Sequence, residues 1–95
     1  MTAEYPTEEE LGQIAAWSYD DFDGWMRHIK SIWYYGDSYF TEESPGKWVI
    51  HTVGWSGNES IIAAMRKNTI MWMVHWWSHR RGGHFELRSR EYTDD

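Results

Sequence analysis

Eight tryptophans stand in a chain of 95 residues, and six tyrosines and three phenylalanines raise the aromatic share to 18%. Side chains that each bury roughly 150–250 Å² cannot all stay hydrated, so such a chain must collapse around a core. Disorder and low complexity are thereby excluded. A single domain is expected over 1–95, with flexible ends at about 1–5 and 91–95. At this length folding buries roughly two-thirds of the unfolded surface, so the core is small and a bound ligand or second copy has stability to add. A homo-oligomer is expected for that reason, a dimer first.

Cysteine is absent. Disulfides, thiolate metal sites and cysteine nucleophiles are therefore excluded, and no oxidising compartment is needed. The longest uncharged apolar run, 69–77, is about half of the ~20 residues a membrane span requires. Glu4, Glu8, Glu9 and Glu10 stand where a secretion signal would be basic. A soluble, cytoplasmic protein with no membrane partner is the expectation.

The net charge of −6 is unevenly spread. Residues 1–45 hold two basic and ten acidic residues, whereas 46–95 hold seven basic and five acidic ones. An acidic chain binds nucleic acid poorly without specific contacts, because the phosphate backbone demands clustered Lys and Arg. Locally, however, Arg80, Arg81, Arg88 and Arg90 suit a small anion.

Local signals give the order of elements. Thr7 with Glu10, Ser18 with Asp21, and Ser56 with Glu59 each read as a capping box opening a helix. Leu11, Ile14 and Ala15 give the first helix an apolar face. Phe22, Trp25, Met26, Ile29 and Trp33 give the second a stronger one, up to a stop at Gly36. Tyr39 and Phe40, a Pro45-Gly46 turn and the run Trp48 to Val53 predict a hairpin. The third helix buries Ile61, Ile62 and Met65 and ends at Lys67, with Asn68 as a left-handed terminator. Residues 70–79 fit either a continuation of that helix or a strand. The strand is preferred, because it pairs with 85–90 around a two-residue Gly82-Gly83 turn. In that register Trp76 faces Ser89, Ser78 faces Leu87 and Arg80 faces Phe85, while Trp77 opposes Arg88 and His79 opposes Glu86. Val74 and Trp76 then share the core side with Phe85 and Leu87. The expected fold class is α+β: two N-terminal helices, then hairpin, helix and C-terminal hairpin, with helices covering one face of an antiparallel sheet.

Candidate chemistry collects at two glycine-marked places. In Gly54-Trp55-Ser56-Gly57-Asn58-Glu59 the glycines permit close approach, Ser56 and Asn58 offer hydrogen bonds, and the helix start offers free amides; Glu59 competes for them. In Arg80-Arg81-Gly82-Gly83-His84 two guanidiniums flank a flexible turn and suit phosphate or carboxylate, with Trp55, Trp77 and Phe85 as stacking neighbours. His75, His79 and His84 could meet as a metal or acid–base cluster, but structural histidines are preferred, as no metal-binding spacing is present. Ser56 and Ser78 lack the setting of a nucleophile. Trp25, Trp33, Trp48, Trp72 and Trp76 are expected in the core; Trp17, Trp55 and Trp77 are harder to place inward.

The pattern from Gly54 through Asn58-Glu59 to Trp72, Trp76 and Arg80-Arg81-Gly82-Gly83-His84-Phe85 resembles small uncharacterised proteins encoded by bacteriophages and prophages. The likeness covers about residues 54–87. It implies an accessory role in the host cell and lends no catalytic residue. The leading expectation is a noncatalytic protein, without cofactor or metal, that binds an anionic, nucleotide-like small molecule or a host protein. Its ligand-binding residues would be Trp55, Ser56, Asn58, Trp77, Arg80, Arg81, Gly82, Gly83 and His84. One alternative is an acidic interaction protein or DNA mimic working through Glu8, Glu9, Asp20, Asp21 and Asp23. Another is a histidine-assisted phosphoester hydrolase.

Overall fold

The structure, a computed structural model, describes residues 5–92. The expected flexible ends therefore fall mostly outside the described residues. Helices α1 (Glu8–Ala16), α2 (Phe22–Ile32) and α3 (Gly36–Tyr39) lead into strands β1 (Phe40–Ser44) and β2 (Lys47–His51). Helices α4 (Ser56–Lys67) and α5 (Thr69–His75) follow, and β3 (Trp76–Arg80) and β4 (His84–Arg88) close the chain. All strand pairs are antiparallel, in the order β1-β2-β4-β3. The fold is α+β, as expected. No helix among the described residues is long and apolar enough to cross a membrane.

One apolar layer joins helices to sheet. Ile14 of α1, Phe22, Trp25, Met26 and Ile29 of α2, Ile61, Ile62 and Met65 of α4 and Met71 of α5 pack with Phe40, Trp48, Ile50, Phe85 and Leu87 from alternate strand positions. Alternation leaves the other strand side chains on a face that no buried apolar residue occupies. The core is thus one-sided, and the sheet keeps an open face.

Several local expectations need correction. Thr7 and Glu10 do form the reciprocal capping box of α1. At α2, however, Asp21 is itself the cap, accepting from Gly24 N at 3.1 Å, while Ser18 bonds Asp20 instead. Gly36 opens the one-turn helix α3 rather than ending α2, whose last residue is Ile32. The third box fails because α4 begins at Ser56, one residue too early for that hydroxyl to cap, and no side chain caps it. Asn68 is not left-handed, with φ at −82°. Its side chain is drawn to the end of α1, where Nδ2–H donates to Ile14 O and Trp17 O at 3.1 and 3.0 Å and satisfies carbonyls the helix leaves open.

Residues 69–75 are helical and only 76–80 form the strand. The connection is three residues long, and the pairs are His79 with Phe85 and Arg80 with His84, one step from the two-residue register. A bulge between Trp76 and Ser78 puts Trp76 opposite Leu87. Trp76 and Val74 consequently lie exposed rather than in the core, and Trp72 is partly buried against it. The Trp77–Arg88 contact forms nonetheless, with the guanidinium 4.0 Å from the ring centroid.

Candidate functional site

β2 ends in a tight turn of unusual backbone. Trp55 N–H donates to Thr52 O at 3.1 Å, and the two residues between, Val53 and Gly54, have φ of 51° and 72°. Glycine takes this conformation freely; a β-branched valine takes it at a cost of about 1–3 kcal/mol. Val53 N–H is held by His51 Nδ1 at 2.7 Å. That bond makes Nδ1 the acceptor and leaves the proton of the neutral ring on Nε2.

This turn is tied to the second glycine-marked loop. Thr52 N–H donates to Gly83 O at 3.1 Å. Gly83 sits at φ +82°, a backbone that strains other residues, and a Cβ there would run into the Thr52 side chain, so glycine favours the approach. The turn just before the first glycine-marked segment thus meets the second segment through Thr52 and Gly83. Gly82, also left-handed at φ +86°, faces open space apart from the His84 ring.

Strand register then builds a row across the open face. His51 of β2 is the partner of His84 in β4, and His84 is the partner of Arg80 in β3. Tyr39, just before β1, lies 5.9 Å from the His51 ring, and the His51 and His84 rings meet edge-on at 3.9 Å. Burial, with His84 alongside, holds the His51 pKa below the ordinary histidine value. Next to this row a cavity of ≈ 210 Å³ is lined by Lys47, Val49, Ser78, Arg80, His84 and Glu86, among others. Lys47 pairs with Glu43 at 3.4 Å and Arg88 with Glu86. Arg80 and Arg81 are exposed, and neither has an ion pair among the described residues.

The remaining expected site residues lie elsewhere. Trp55 is wedged between Tyr5 and Tyr34, at ring distances of 5.1 and 4.8 Å, and lies over Gly57, where a Cβ would strike its ring at 2.3 Å. Ser56 Oγ is 2.7 Å from the Tyr5 hydroxyl. Asn58 is 0% exposed: its Oδ1 accepts from Tyr34 N at 3.0 Å and its Nδ2 donates to Thr52 O at 3.3 Å. It clamps the α2–α3 junction to the Thr52 turn and has no free face for a ligand. Trp77 rests on Arg88, away from these aromatics.

Sequence reading missed Lys47, Tyr39 and Thr52 and left His51 unplaced. For Lys47 and His51 the signal was the alternation of β2, which becomes informative only once β2 is known to pair with β4; Tyr39 and Thr52 lie outside β2 and carried no such signal. Among the described residues no group of three His, Asp or Glu side chains is arranged to hold a metal. His75 is buried, stacked on Phe22 at 3.9 Å and hydrogen-bonded to Arg88 O, while His79 stacks on Phe85.

A larger cavity, ≈ 800 Å³, lies at the other end, between the start of α2, the β1–β2 turn and residues 89–92. Most of its acids serve the fold. Asp21 caps α2, Asp23 and Glu42 hold Arg27 at 2.8 and 3.2 Å, and Glu42 also accepts from Gly46 N. In comparisons with protein families, curated proteins and solved structures, nothing matches this chain.

Proposed function

We propose that the protein is a noncatalytic binding module that takes a small phosphate-bearing anion, nucleotide-like in character, on the open face of its sheet beside Arg80, Arg81 and His84. The observation that carries this reading is the Thr52–Gly83 bond, which fixes the loop bearing Arg81, next to Arg80 at the end of β3, against the His51–His84 pair. Gly82, which faces open space apart from the His84 ring, lets an oxyanion reach the loop backbone, and each guanidinium offers a planar pair of donors. Tyr39 and the two imidazoles offer flat surfaces for a planar group. An accessory role in a phage-infected cell, implied by the resemblance of residues 54–87, fits a protein that sequesters such a molecule. The acidic-mimic reading has less support, because Asp21 and Asp23 are engaged in a cap and an ion pair within α2.

Calorimetric titration with inorganic pyrophosphate and with ATP tests the proposal. Arg81→Ala is expected to weaken binding by roughly 10–100-fold, the loss of a charge-assisted contact. Its melting temperature should stay at the wild-type value, because exposed turn arginines add little stability. Arg81→Lys should recover only part of the affinity. Undiminished affinity in both Arg80→Ala and Arg81→Ala would overturn the site.

A further inference from the structure

The two edges of the sheet are unlike. The β1 edge carries Glu42 and Glu43, charges that keep a foreign strand from pairing there. β3, the other edge, carries Trp76, Trp77, Ser78, His79 and Arg80 and no acid. The helix leading into it continues the contrast. Ile70, Met73 and Val74 of α5 follow the i, i+3, i+4 spacing of one helical stripe and are 59%, 74% and 47% exposed. On the strand that follows, Trp76 and Trp77 are 42% and 58% exposed, with Trp77 resting partly on Arg88. An apolar stripe running into an open strand edge is uncommon on a lone soluble domain.

We infer that this face, the α5 stripe with the β3 edge, pairs with a second copy of the same chain. Three observations select that occupant. Antiparallel pairing of a strand with its own two-fold mate needs no other sequence, since the edge supplies both donors and acceptors. The five exposed side chains offer at most on the order of 600 Å² per protomer, so a pair that covers them fully buries about 1,200 Å², just above the ~1,000 Å² a specific interface requires. Charge points the same way. The chain carries −6 overall, yet residues 68–79 contain no Asp, Glu, Lys or Arg, so this stretch lets two acidic molecules meet without opposing like charges. Joined at β3, the two sheets become one of eight strands, with both open faces available. The inference stands independently of the anion site.

Sedimentation velocity at micromolar concentration tests it, with Ile70→Glu/Met73→Glu as the variant, because both side chains point into solvent and neither supports the core. Wild type should sediment as a species of twice 11.4 kDa. The variant should be a monomer with unchanged circular dichroism, its self-affinity weaker by on the order of 100-fold or more. Hydrogen exchange at the β3 amides supplies a readout independent of folding losses: protection in wild type should fall on dilution. A wild-type monomer over the whole micromolar range, or a dimer that survives the double substitution and Val74→Lys alike, would overturn the inference.

Discussion

Histidine shows how much one side chain depends on its surroundings. His75 is buried, donates Nδ1–H to Arg88 O at 2.8 Å and stacks on Phe22. Burial pulls its pKa below the ordinary value, the Arg88 carbonyl opposes this in part, and Arg90 adds to the lowering. His51 is lowered as well, by burial and by His84. Both rings are therefore neutral in the folded protein at a pH where the unfolded chain already binds protons. The stability they contribute is complete above about pH 6.5, the unfolded value, and is lost as pH falls below it. Urea denaturation between neutrality and about pH 5 should show that decline, and His75→Gln, which keeps a donor for Arg88 O, should make it shallower. A variant as steep as wild type would show that His75 does not titrate in this way. No periodicity in the sequence distinguishes His75 from His79, because the difference arises from a helix-to-strand change between them.

At the scale of elements, what was legible had a local cause. The Thr7–Glu10 box, the apolar stripe of α2 and the Pro45-Gly46 turn each depend on neighbours within four residues, and each formed as read. The errors share a different origin. Asn68 is taken from its helix end by α1 carbonyls more than fifty residues away, and the extra loop residue accompanies the docking of Gly83 on Thr52. Neither partner is visible from the segment itself. Gly83→Ala tests that docking, since it forces a side chain into a left-handed backbone and against Thr52. A loss of at least about 2 kcal/mol in thermal or urea unfolding is expected, from strain and steric conflict together. Gly54→Ala, with open space around its Cβ, should bear only the backbone strain and lose less. Equal losses in the two variants would mean that the Thr52–Gly83 contact is not what constrains the loop.

Over the whole molecule, charge and topology combine. The acidic residues of 1–45 and the cations of the second half were apparent from the sequence, but their placement was not. Order β1-β2-β4-β3 seats β2 beside β4, and only that non-local pairing aligns His51, His84 and Arg80 in one row. Trp55 and Asn58, close to this row in sequence, are instead committed to the Tyr34 junction. The proposed ligand of the joined loops and the open sheet face is a phosphate-bearing anion. Nuclear magnetic resonance titration of the isotopically labelled protein with pyrophosphate tests it most directly, residue by residue. The largest shifts are expected at His51, Thr52 and residues 80–84, with α1 unmoved. Shifts centred on Asp20, Asp23 and Arg27, or none at saturating pyrophosphate, would contradict it.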